Sequence, residues 1–443
     1  MLATCGRMEI YMKFERDVPV RHSVDVFVAG GGPAGIAAAL SASRSGASVY
    51  LAEKEQCFGG MATAAIVPAF MRFSDGINFL SGGVGREVFD ALYGPDADFT
   101  PVEFPIDTEK LKRIYDKMLT DSNVIFSFEN HIISLEKQDG KVTHAVIMGK
   151  EKLFAVEAKI FIDATGDGTI AVWAGADFEI GDDEGRMMPG SLCTLWGNID
   201  WSRAIVELGK DPDNRRLQDA FRDGVFTVQD PNLPGMWRRE DNYGGGNIGH
   251  VFGVDGTDEN SITKGIIDAR ARMPEYRTYY RNYLEGYENT ELLASGAVLG
   301  IRESRRIKCD YMMSVNDYFS YADFDDEIGR YNYPIDVHAA TAGGYSKYWH
   351  LYGEGYPKGK SYGISYRALI PTKTNNVLVC GRCVGAEREM MGSIRVMPGC
   401  FITGMAAGTA AAMAAKENCT PREIDVKQLQ NNLRAQGAFI PEK

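Results

Sequence analysis

VDVFVAGGGPAGIAAALSASRSGASVYLAEK, residues 24–54, is the stretch that decides the fold. It opens with valines at alternate positions and a short apolar run, which is typical of a strand buried in a parallel sheet. The alanine-rich segment over 36–44 ends before Gly46 and predicts a helix. Residues 48–52 are mostly apolar again and predict a second strand. The stretch therefore predicts a strand, a glycine turn, a helix and a further strand.

The glycine turn carries a G-x-G-x-x-G frame on Gly30, Gly32 and Gly35. Gly30 permits the tight turn, Gly32 lets backbone N–H groups approach a pyrophosphate, and Gly35 lets the helix pack closely on the strand. The helix amino end adds N–H groups and a positive dipole end. Glu53 follows the second strand at the distance where a carboxylate accepts hydrogen bonds from ribose hydroxyls and disfavours a 2′-phosphate. The unit predicts a dinucleotide site, for either FAD or NAD.

Composition narrows the class of protein. The 443 residues predict two domains, or one large domain with an insertion. The net charge of -12 argues against nucleic acid or an anionic membrane as a partner. The eight cysteines are scattered, which indicates free thiols in a reducing compartment, so we expect a cytoplasmic protein. Cys380 and Cys383 form a C-x-x-C without a second pair, so we expect a structural role and no metal site.

Later segments repeat the pattern of a strand that ends in a turn of small residues. The sequence CFGGMAT over 57–63 is a glycine turn that brings backbone near a bound cofactor, or an ordinary turn. Residues 160–168, IFIDATGDG, predict a strand whose end exposes backbone at the carboxyl edge of the sheet. Residues 376–382 predict another such strand. The longest apolar run, 400–415, is shorter than the roughly 20 residues of a membrane span, so it predicts a buried helix.

Together these motifs resemble the FAD-dependent oxidoreductase family with a glutathione-reductase-type Rossmann domain and, distantly, the fumarate reductase and succinate dehydrogenase flavoproteins. The resemblance covers nearly the whole chain. It implies an α/β fold, with an FAD-binding Rossmann-type three-layer domain and an inserted α+β substrate domain. The implied parts are an N-terminal arm (1–23), the first FAD-binding part (24–188), the substrate domain (189–356), a return segment with a flavin-facing helix (357–420) and a C-terminal segment (421–443).

The resemblance also implies a non-covalently bound FAD, with a cysteinyl link through Cys383 or Cys400 as the alternative. In the family, the amino end of the helix that begins near Cys400 points at the flavin pyrimidine edge. The implied cofactor-binding residues are Gly30, Gly32, Pro33, Ala34, Gly35, Glu53, Lys54, Gly59, Gly60, Met61, Ala62, Thr63, Ala164, Thr165, Gly166, Asp167, Gly381, Arg382, Gly399, Cys400 and Phe401.

Two chemistries of this fold are excluded by the residues. Dithiol reductases need a second cysteine a few residues from the first, and Cys57 has no partner over 58–65. No second G-x-G-x-x-G follows a strand and opens a helix, so a dedicated NAD(P)H domain is absent. We therefore expect the substrate to meet the isoalloxazine directly, in the cleft between the cofactor sheet and the inserted domain.

The candidate substrate-side residues lie in two segments that resemble the family's substrate-facing part, 300–307 and 333–338. His338 is the candidate base, because a histidine pKa lies close to working pH, and the alternative is a structural histidine. Arg302, Arg306 and Arg395 are candidates for holding a carboxylate or orienting hydroxyls. If 300–307 is a strand, Arg302 and Arg306 share one face, and a salt-bridged sheet surface is the alternative.

The sequence predicts a flavin-dependent oxidoreductase, a dehydrogenase or reductase, which moves a hydride between a small polar organic substrate and FAD. Its electron acceptor is unknown. The alternatives are an FAD-dependent isomerase or lyase without net redox change, and a protein that binds FAD without turnover.

Overall fold

The computed structural model describes residues 12–204, 215–231, 236–239, 241–342 and 356–442. Its strands are β1 (Val20–Ala29), β2 (Val49–Ala52), β3 (Ala69–Phe70), β4 (Phe104–Pro105), β5 (Val124–Ser127), β6 (His131–Gln138), β7 (Lys141–Met148), β8 (Leu153–Asp163), β9 (Phe178–Ile180), β10 (Gly190–Ser191), β11 (Thr194–Gly197), β12 (Met236–Arg238), β13 (Tyr243–Gly246), β14 (His250–Val251), β15 (Glu291–Ser295), β16 (Arg305–Ile307), β17 (Glu327–Tyr331), β18 (Tyr362–Ser365) and β19 (Val377–Val379). Its α-helices are α1 (Pro33–Arg44), α2 (Val84–Tyr93), α3 (Thr108–Thr120), α4 (Thr169–Ala174), α5 (Arg215–Arg222), α6 (Glu259–Ala271), α7 (Met273–Tyr283), α8 (Val315–Phe319), α9 (Arg388–Ile394), α10 (Met397–Glu417) and α11 (Val426–Ala435).

A seven-stranded sheet is built around β1 and β8. Its strand order is β5-β2-β1-β8-β7-β6, and β19 pairs with the last residues of β8. The strands β5, β2, β1, β8 and β19 run parallel to one another, whereas β6 and β7 form an antiparallel hairpin against the first half of β8. The carboxyl ends of the parallel strands therefore meet at one edge, where ligands bind in open α/β sheets.

The two faces of this sheet are covered differently. Val26 and Val28 of β1 lie in one hydrophobic core with α1 and α10. Phe27 and Ala29 point the other way and lie in a second core with β7 and α4. The sheet is thus the middle of three layers, and the predicted α/β fold with a parallel central sheet is confirmed.

The helix α10 is the most buried helix of the cofactor-binding part. It is long and apolar enough to cross a membrane by length and composition, with a mean hydropathy of 1.2, but its apolar window is 100% buried inside the protein. Its partner is α1: a Cβ added at Gly404 would overlap the carbonyl oxygen of Ala34, and one at Gly408 would overlap that of Ala38. The two helices are therefore in direct backbone contact, as the small residues of the apolar run predict.

A separate hydrophobic core lies within residues 192–301. Its antiparallel sheet has the order β12-β13-β11-β15, and α5, α6 and α7 contribute side chains to the same core. Tyr276, Tyr279 and Tyr280 of α7 are almost completely buried there. This α+β unit is inserted between the first part of the cofactor domain and the return of the chain to it.

The chain returns to the main core before residue 356, at which the predicted substrate domain ends. Met313, Ile328 and Val337 are buried and belong to the same hydrophobic core as α1 and α10. β17 also pairs with β18 across that boundary. The predicted strand over 300–307 is confined to β16. The predicted arm and substrate domain include residues 1–11, 205–214, 232–235, 240 and 343–355, which lie outside the described residues.

Replacement of Gly404 by alanine tests the helix contact. Because the new Cβ would overlap the Ala34 carbonyl, Gly404→Ala should lower the free energy of unfolding by about 1–3 kcal/mol or more. The matched control is Gly32→Ala, since a Cβ at Gly32 meets nothing within 4 Å and its φ of -71° suits alanine. Denaturant unfolding of the two cofactor-free variants measures the difference, and equal stabilities would contradict the close packing.

Candidate functional site

A cavity of about 1070 Å³ lies at the carboxyl edge of the sheet. The turns that follow β1, β2, β8 and β19 line one side of it, and residues of the inserted unit line the other. Ordinary ligand pockets occupy roughly 300–1,000 Å³. The cavity therefore lies at the upper end of the size range of ligand pockets.

The glycine turn after β1 fits a pyrophosphate. Gly30 has a φ of +96°, and a Cβ there would lie 2.8 Å from the Ala164 carbonyl oxygen, so a side chain at this position would be strained. At Gly32, by contrast, the space in front of the backbone is open. Gly32, Pro33 and Ala34 all line the cavity, and no side chain caps the amino end of α1. The helix N–H groups and dipole thus face an open cradle for an anion.

Glu53 holds the glycine turn as well as lining the cavity. Its Oε2 accepts a hydrogen bond of 2.6 Å from the Gly31 N–H, and its Oε1 accepts one of 2.8 Å from the Glu55 N–H. Burial raises the pKa of this carboxyl, and the two N–H donors act in the opposite direction. Each carboxylate oxygen can accept further hydrogen bonds. Glu53 therefore joins the turn to the place where the sequence predicts the ribose.

The turn after β8 is shaped by the buried carboxylate of Asp163. It accepts hydrogen bonds from the N–H and hydroxyl of Thr165 and from the Ala171 N–H. Burial raises the pKa of Asp163, whereas these donors lower it. Ala164, Thr165, Gly166 and Asp167 line the cavity as a result.

Arg382 joins the turn after β8 to the turn after β19. Its Nε donates to the Gly166 carbonyl at 2.9 Å, and Nη2 lies 2.5 Å from Oδ1 of Asp167. Its Nη1 donates to the Ile301 carbonyl. Arg382 lines the cavity, but these bonds show that it also fixes the walls.

The amino end of α10 reaches the cavity beside the turn after β19. Met397 and Cys400 line the cavity, and Pro398 occupies the first turn without a side-chain cap on the helix. The Gly381 N–H donates to the Thr403 hydroxyl, so that N–H is held by the helix. Burial raises the pKa of the Cys400 thiol to about 12. The predicted flavin-facing helix end is therefore at the cavity.

Most of the sequence-predicted cofactor residues lie on the cavity wall, including Lys54, Gly60 and Met61. The remaining predicted residues lie outside the lining and pack next to it. A Cβ at Gly35 would overlap the Gly30 carbonyl oxygen, and Thr63 donates to the Phe58 carbonyl. The predicted cofactor residues outside the lining are Gly35, Gly59, Ala62, Thr63, Gly399 and Phe401.

Four polar side chains lie in a row on the substrate side of the cavity. His338 Nε2 is 3.0 Å from Oδ1 of Asp336, and His338 Nδ1 is 2.9 Å from His250 Nε2. His250 Nδ1 is in turn 2.9 Å from Oδ2 of Asp230. All four side chains line the cavity. Two imidazole rings are thus held in contact between two carboxylates.

Burial and nearby charges set the pKa values of the two histidines and of Asp336. Burial lowers the pKa of His338 to about 4, although Asp336 acts to raise it, and burial also lowers the pKa of His250. The pKa of Asp336 is held well below its usual range, because His338, Arg395 and Arg302 outweigh its burial. Asp336 is therefore ionised and the two rings are neutral near neutral pH.

The three candidate arginines are placed differently. Arg302 and Arg395 line the cavity. The Arg395 guanidinium pairs with Asp336 at 2.9 Å, which fixes the carboxylate that holds His338. Arg302 donates to the Pro189 carbonyl, the Ser191 hydroxyl and the Asn247 amide oxygen.

Arg306 is placed apart from the other two candidate arginines. It lies outside the cavity lining and is buried, with Nη1 2.8 Å from Oε1 of Glu303. Glu303 also accepts from Arg388 and from the Met188 N–H. Arg302 and Arg306 do not share a strand face, since β16 begins only at Arg305. Arg306 neutralises a buried carboxylate, which explains its position in the core.

His250 and Asp230 are site residues that the sequence analysis missed. Both lie in the inserted unit, far along the chain from His338, and neither belongs to a recognisable motif. A signal was present in the number of histidines, since the chain has only 6. Among the described residues, no three His, Cys, Asp or Glu side chains are grouped as metal ligands would be.

Comparison with known proteins shows which family the sequence matches. Residues 25–433 match the model of a family described as FAD dependent oxidoreductase. No curated sequence matches the chain significantly. Similar solved structures include a geranylgeranyl bacteriochlorophyll reductase-like protein from Thermoplasma acidophilum, with 13% identity over 94% of this chain and 84% of that one and a TM-score of 0.48. Another is p-nitrophenol 4-monooxygenase PnpA from Pseudomonas putida DLL-E4, with 12% identity over 94% and 88% and a TM-score of 0.45.

Substitution of Glu53 tests its hydrogen bonds to the Gly31 and Glu55 N–H groups. Glu53→Ala removes both acceptors and leaves the Gly31 N–H without its partner, whereas Glu53→Gln keeps one amide oxygen. Loss of a hydrogen bond to a charged group costs roughly 1.5–3 kcal/mol, or about 10- to 150-fold in affinity. FAD retention, measured by equilibrium dialysis, should therefore fall far more in Glu53→Ala than in Glu53→Gln. Equal retention in the two variants would show that Glu53 does not support FAD binding.

Gly32→Ala tests the open cradle. The new methyl would project into the cavity and keep the pyrophosphate from the backbone, so FAD affinity should fall by about tenfold or more. The melting temperature of the cofactor-free protein should stay unchanged, because nothing lies within 4 Å of the added Cβ. Full FAD affinity in this variant would mean that the pyrophosphate lies elsewhere.

Proposed function

The chain belongs to the FAD-dependent oxidoreductase family, and we propose that it transfers a hydride between a small polar organic substrate and non-covalently bound FAD. The observation that carries this proposal is the position of the His250–His338 pair. The two rings lie in the same cavity as the glycine turn after β1 and the amino end of α10. A proton acceptor and the cofactor-binding motifs thus face one space.

The substrate's polar group would be bound by Arg302. This guanidinium is 8% exposed, and its three hydrogen bonds within the described residues go to uncharged oxygen atoms. Two of the five N–H groups of an arginine remain for a ligand. Asp336 and Asp230 act on this charge from a distance, but among the described residues no carboxylate forms an ion pair with Arg302, so the buried guanidinium favours an anionic ligand. A substrate carboxylate would supply both the acceptors and the charge.

The reaction requires the removal of one proton for each hydride. FAD supplies a two-electron acceptor for the hydride when it is bound. In the oxidation of an alcohol, the carbon loses the hydride, the hydroxyl loses a proton, and a carbonyl remains. His338 is the proposed proton acceptor, since burial keeps it neutral at working pH. Asp336 orients the ring through Nε2, and Arg395 orients Asp336.

The turns after β1, β8 and β19 would separate the reaction from solvent on the cofactor side. Asp163 and Arg382 hold two of these turns through several hydrogen bonds each. Such fixed walls position a substrate carbon against the cofactor without reorganisation during the reaction. The proposal therefore assigns binding to Arg302, proton transfer to His338 and positioning to the turns.

The experiment begins with anaerobic mixing of the FAD-loaded protein with hydroxy acids, sugars and amines. A compound that bleaches the flavin is a substrate for oxidation, whatever the natural electron acceptor is. An isomerase or lyase would instead turn over a compound without net bleaching and without consuming an acceptor. That outcome would replace the proposed reaction with the alternative from the sequence.

His338→Ala tests the proton acceptor once a bleaching compound is known. The rate of flavin reduction should fall by about 10²–10⁴, the usual contribution of a positioned general base. FAD content should be unchanged, because the contacts described for His338 are with Asp336 and His250 and not with the glycine turns. In the wild type the rate should rise with pH and level off below pH 6.5, since burial lowers the pKa of His338.

The matched control is His144→Ala, on the hairpin strand β7 and outside the cavity lining. It should leave the reduction rate and its pH profile unchanged. If His338→Ala reduces its flavin within a few-fold of the wild-type rate while its melting temperature falls, His338 is structural and the proton goes to another group.

A further inference from the structure

A tyrosine without a use in the fold lies on the substrate side of the cavity. Tyr333 is the only tyrosine among the described residues that line the cavity. Its hydroxyl makes no hydrogen bond to any described residue. A buried tyrosine hydroxyl usually has a hydrogen-bond partner. The hydroxyl of Tyr333 is therefore available to a ligand in the cavity.

The ring of Tyr333 is held in place without its hydroxyl. It packs against the hydrophobic core that contains α1 and α10. The Ser393 hydroxyl donates to the Tyr333 carbonyl, and the following Pro334 favours an extended backbone at Tyr333. The hydroxyl thus belongs to a fixed side chain, as a preorganised hydrogen-bond donor requires.

Tyr333 and His338 lie around the same carboxylate. Asp336 acts on the pKa of both side chains, and Arg395 acts on that of Tyr333 as well. The Asp336 carboxylate is in contact with His338 through Oδ1 and with Arg395 through Oδ2. The Tyr333 hydroxyl takes no part in these contacts. The proposed base and an unused donor therefore lie near each other on the cavity wall.

The hydroxyl of Tyr333 stays protonated. Burial raises its pKa, and Asp336 acts in the same direction, whereas Arg395 opposes them. A phenol with a raised pKa keeps its proton at working pH, so Tyr333 can donate a hydrogen bond but is not a base. Its chemistry is therefore separate from that of His338, whose pKa is lowered by burial.

We propose that Tyr333 is a further catalytic residue, whose hydroxyl donates a hydrogen bond to the substrate oxygen that loses its proton to His338. This inference rests on the proposed function. In the oxidation of an alcohol, the carbon gives its hydride to FAD, the oxygen gives its proton to His338, and the C–O bond becomes a double bond. Tyr333 keeps its own proton throughout. Negative charge grows on the oxygen as its proton leaves, so the hydrogen bond from Tyr333 is strongest in the transition state.

Tyr333→Phe removes the hydroxyl and keeps the ring. With a compound that bleaches the flavin, its rate of flavin reduction at saturating substrate should fall by about 10²–10³, the usual effect of removing one such donor. Its melting temperature and FAD affinity should be unchanged, because no internal hydrogen bond of the described residues is lost.

The matched control is Tyr331→Phe, two residues away and outside the cavity lining. The Tyr331 hydroxyl is buried and donates to the Arg72 carbonyl at 2.9 Å. This variant should therefore melt at a lower temperature than the wild type but reduce its flavin at the wild-type rate. The two variants differ from the wild type by the same single oxygen atom, with opposite expected effects.

Oxalate provides a second measurement that needs no turnover. One of its carboxylates can pair with Arg302, and the other offers a negatively charged oxygen to the Tyr333 hydroxyl. Its binding to the FAD-loaded protein is followed by the change in flavin absorbance. Tyr333→Phe should bind oxalate about 10- to 150-fold more weakly than the wild type, the effect of losing a hydrogen bond to a charged group. Tyr331→Phe should bind it as the wild type does.

A rate of flavin reduction within a few-fold of the wild type in Tyr333→Phe would overturn the assignment. A loss of FAD affinity with an unchanged rate would also overturn it, since the hydroxyl would then contact the cofactor. If no compound bleaches the flavin, the proposed reaction fails and the oxalate measurement decides alone. Equal affinities in the two proteins, or no binding by the wild type, would then overturn the role of Tyr333, whereas weaker binding by the variant would retain its hydrogen bond to a bound oxygen.

Discussion

Close backbone contact at the amino end of α1 is the constraint on which the rest of the structure depends. Gly35 brings the helix against Gly30, and Gly404 brings α10 against Ala34. Neither approach leaves room for a Cβ. Because three segments meet here without side chains between them, the turn after β1 and the amino end of α10 are brought to the same cavity. A cofactor can then contact backbone from both.

Charged side chains both support the turns of the site and line part of it. Asp163, Glu53 and Arg382 hold the turns, and Glu53 and Arg382 also line the cavity beside the backbone of those turns. On the other side, the inserted unit brings His250 to the His338 that follows β17 in the main core. The contact between the two imidazole rings therefore exists only when the inserted unit and the cofactor domain are packed together, which couples its geometry to their contact.

Sequence reasoning predicted the parts of the fold that depend on residues close together in the chain. The glycine frame, the alternating valines of β1 and the apolar run of α10 each require a particular backbone or burial, so their elements and a dinucleotide site could be predicted, and the family resemblance indicated FAD. Arg306 and His250 show what such local patterns could not predict. Whether an arginine faces the cavity or Glu303 depends on where the strand begins, and the partner of His338 lies 88 residues away in the chain. Neither is encoded by local periodicity or spacing.

The central claim is that a hydride passes between a substrate carbon and FAD in this cavity. Its most direct test is the single-turnover rate of flavin reduction with a substrate that carries deuterium at the carbon to be oxidised. The account predicts a clearly slower reduction with the deuterated compound, because the C–H bond breaks in the step that reduces the flavin. Equal rates for the two isotopes, with substrate binding already complete, would contradict it.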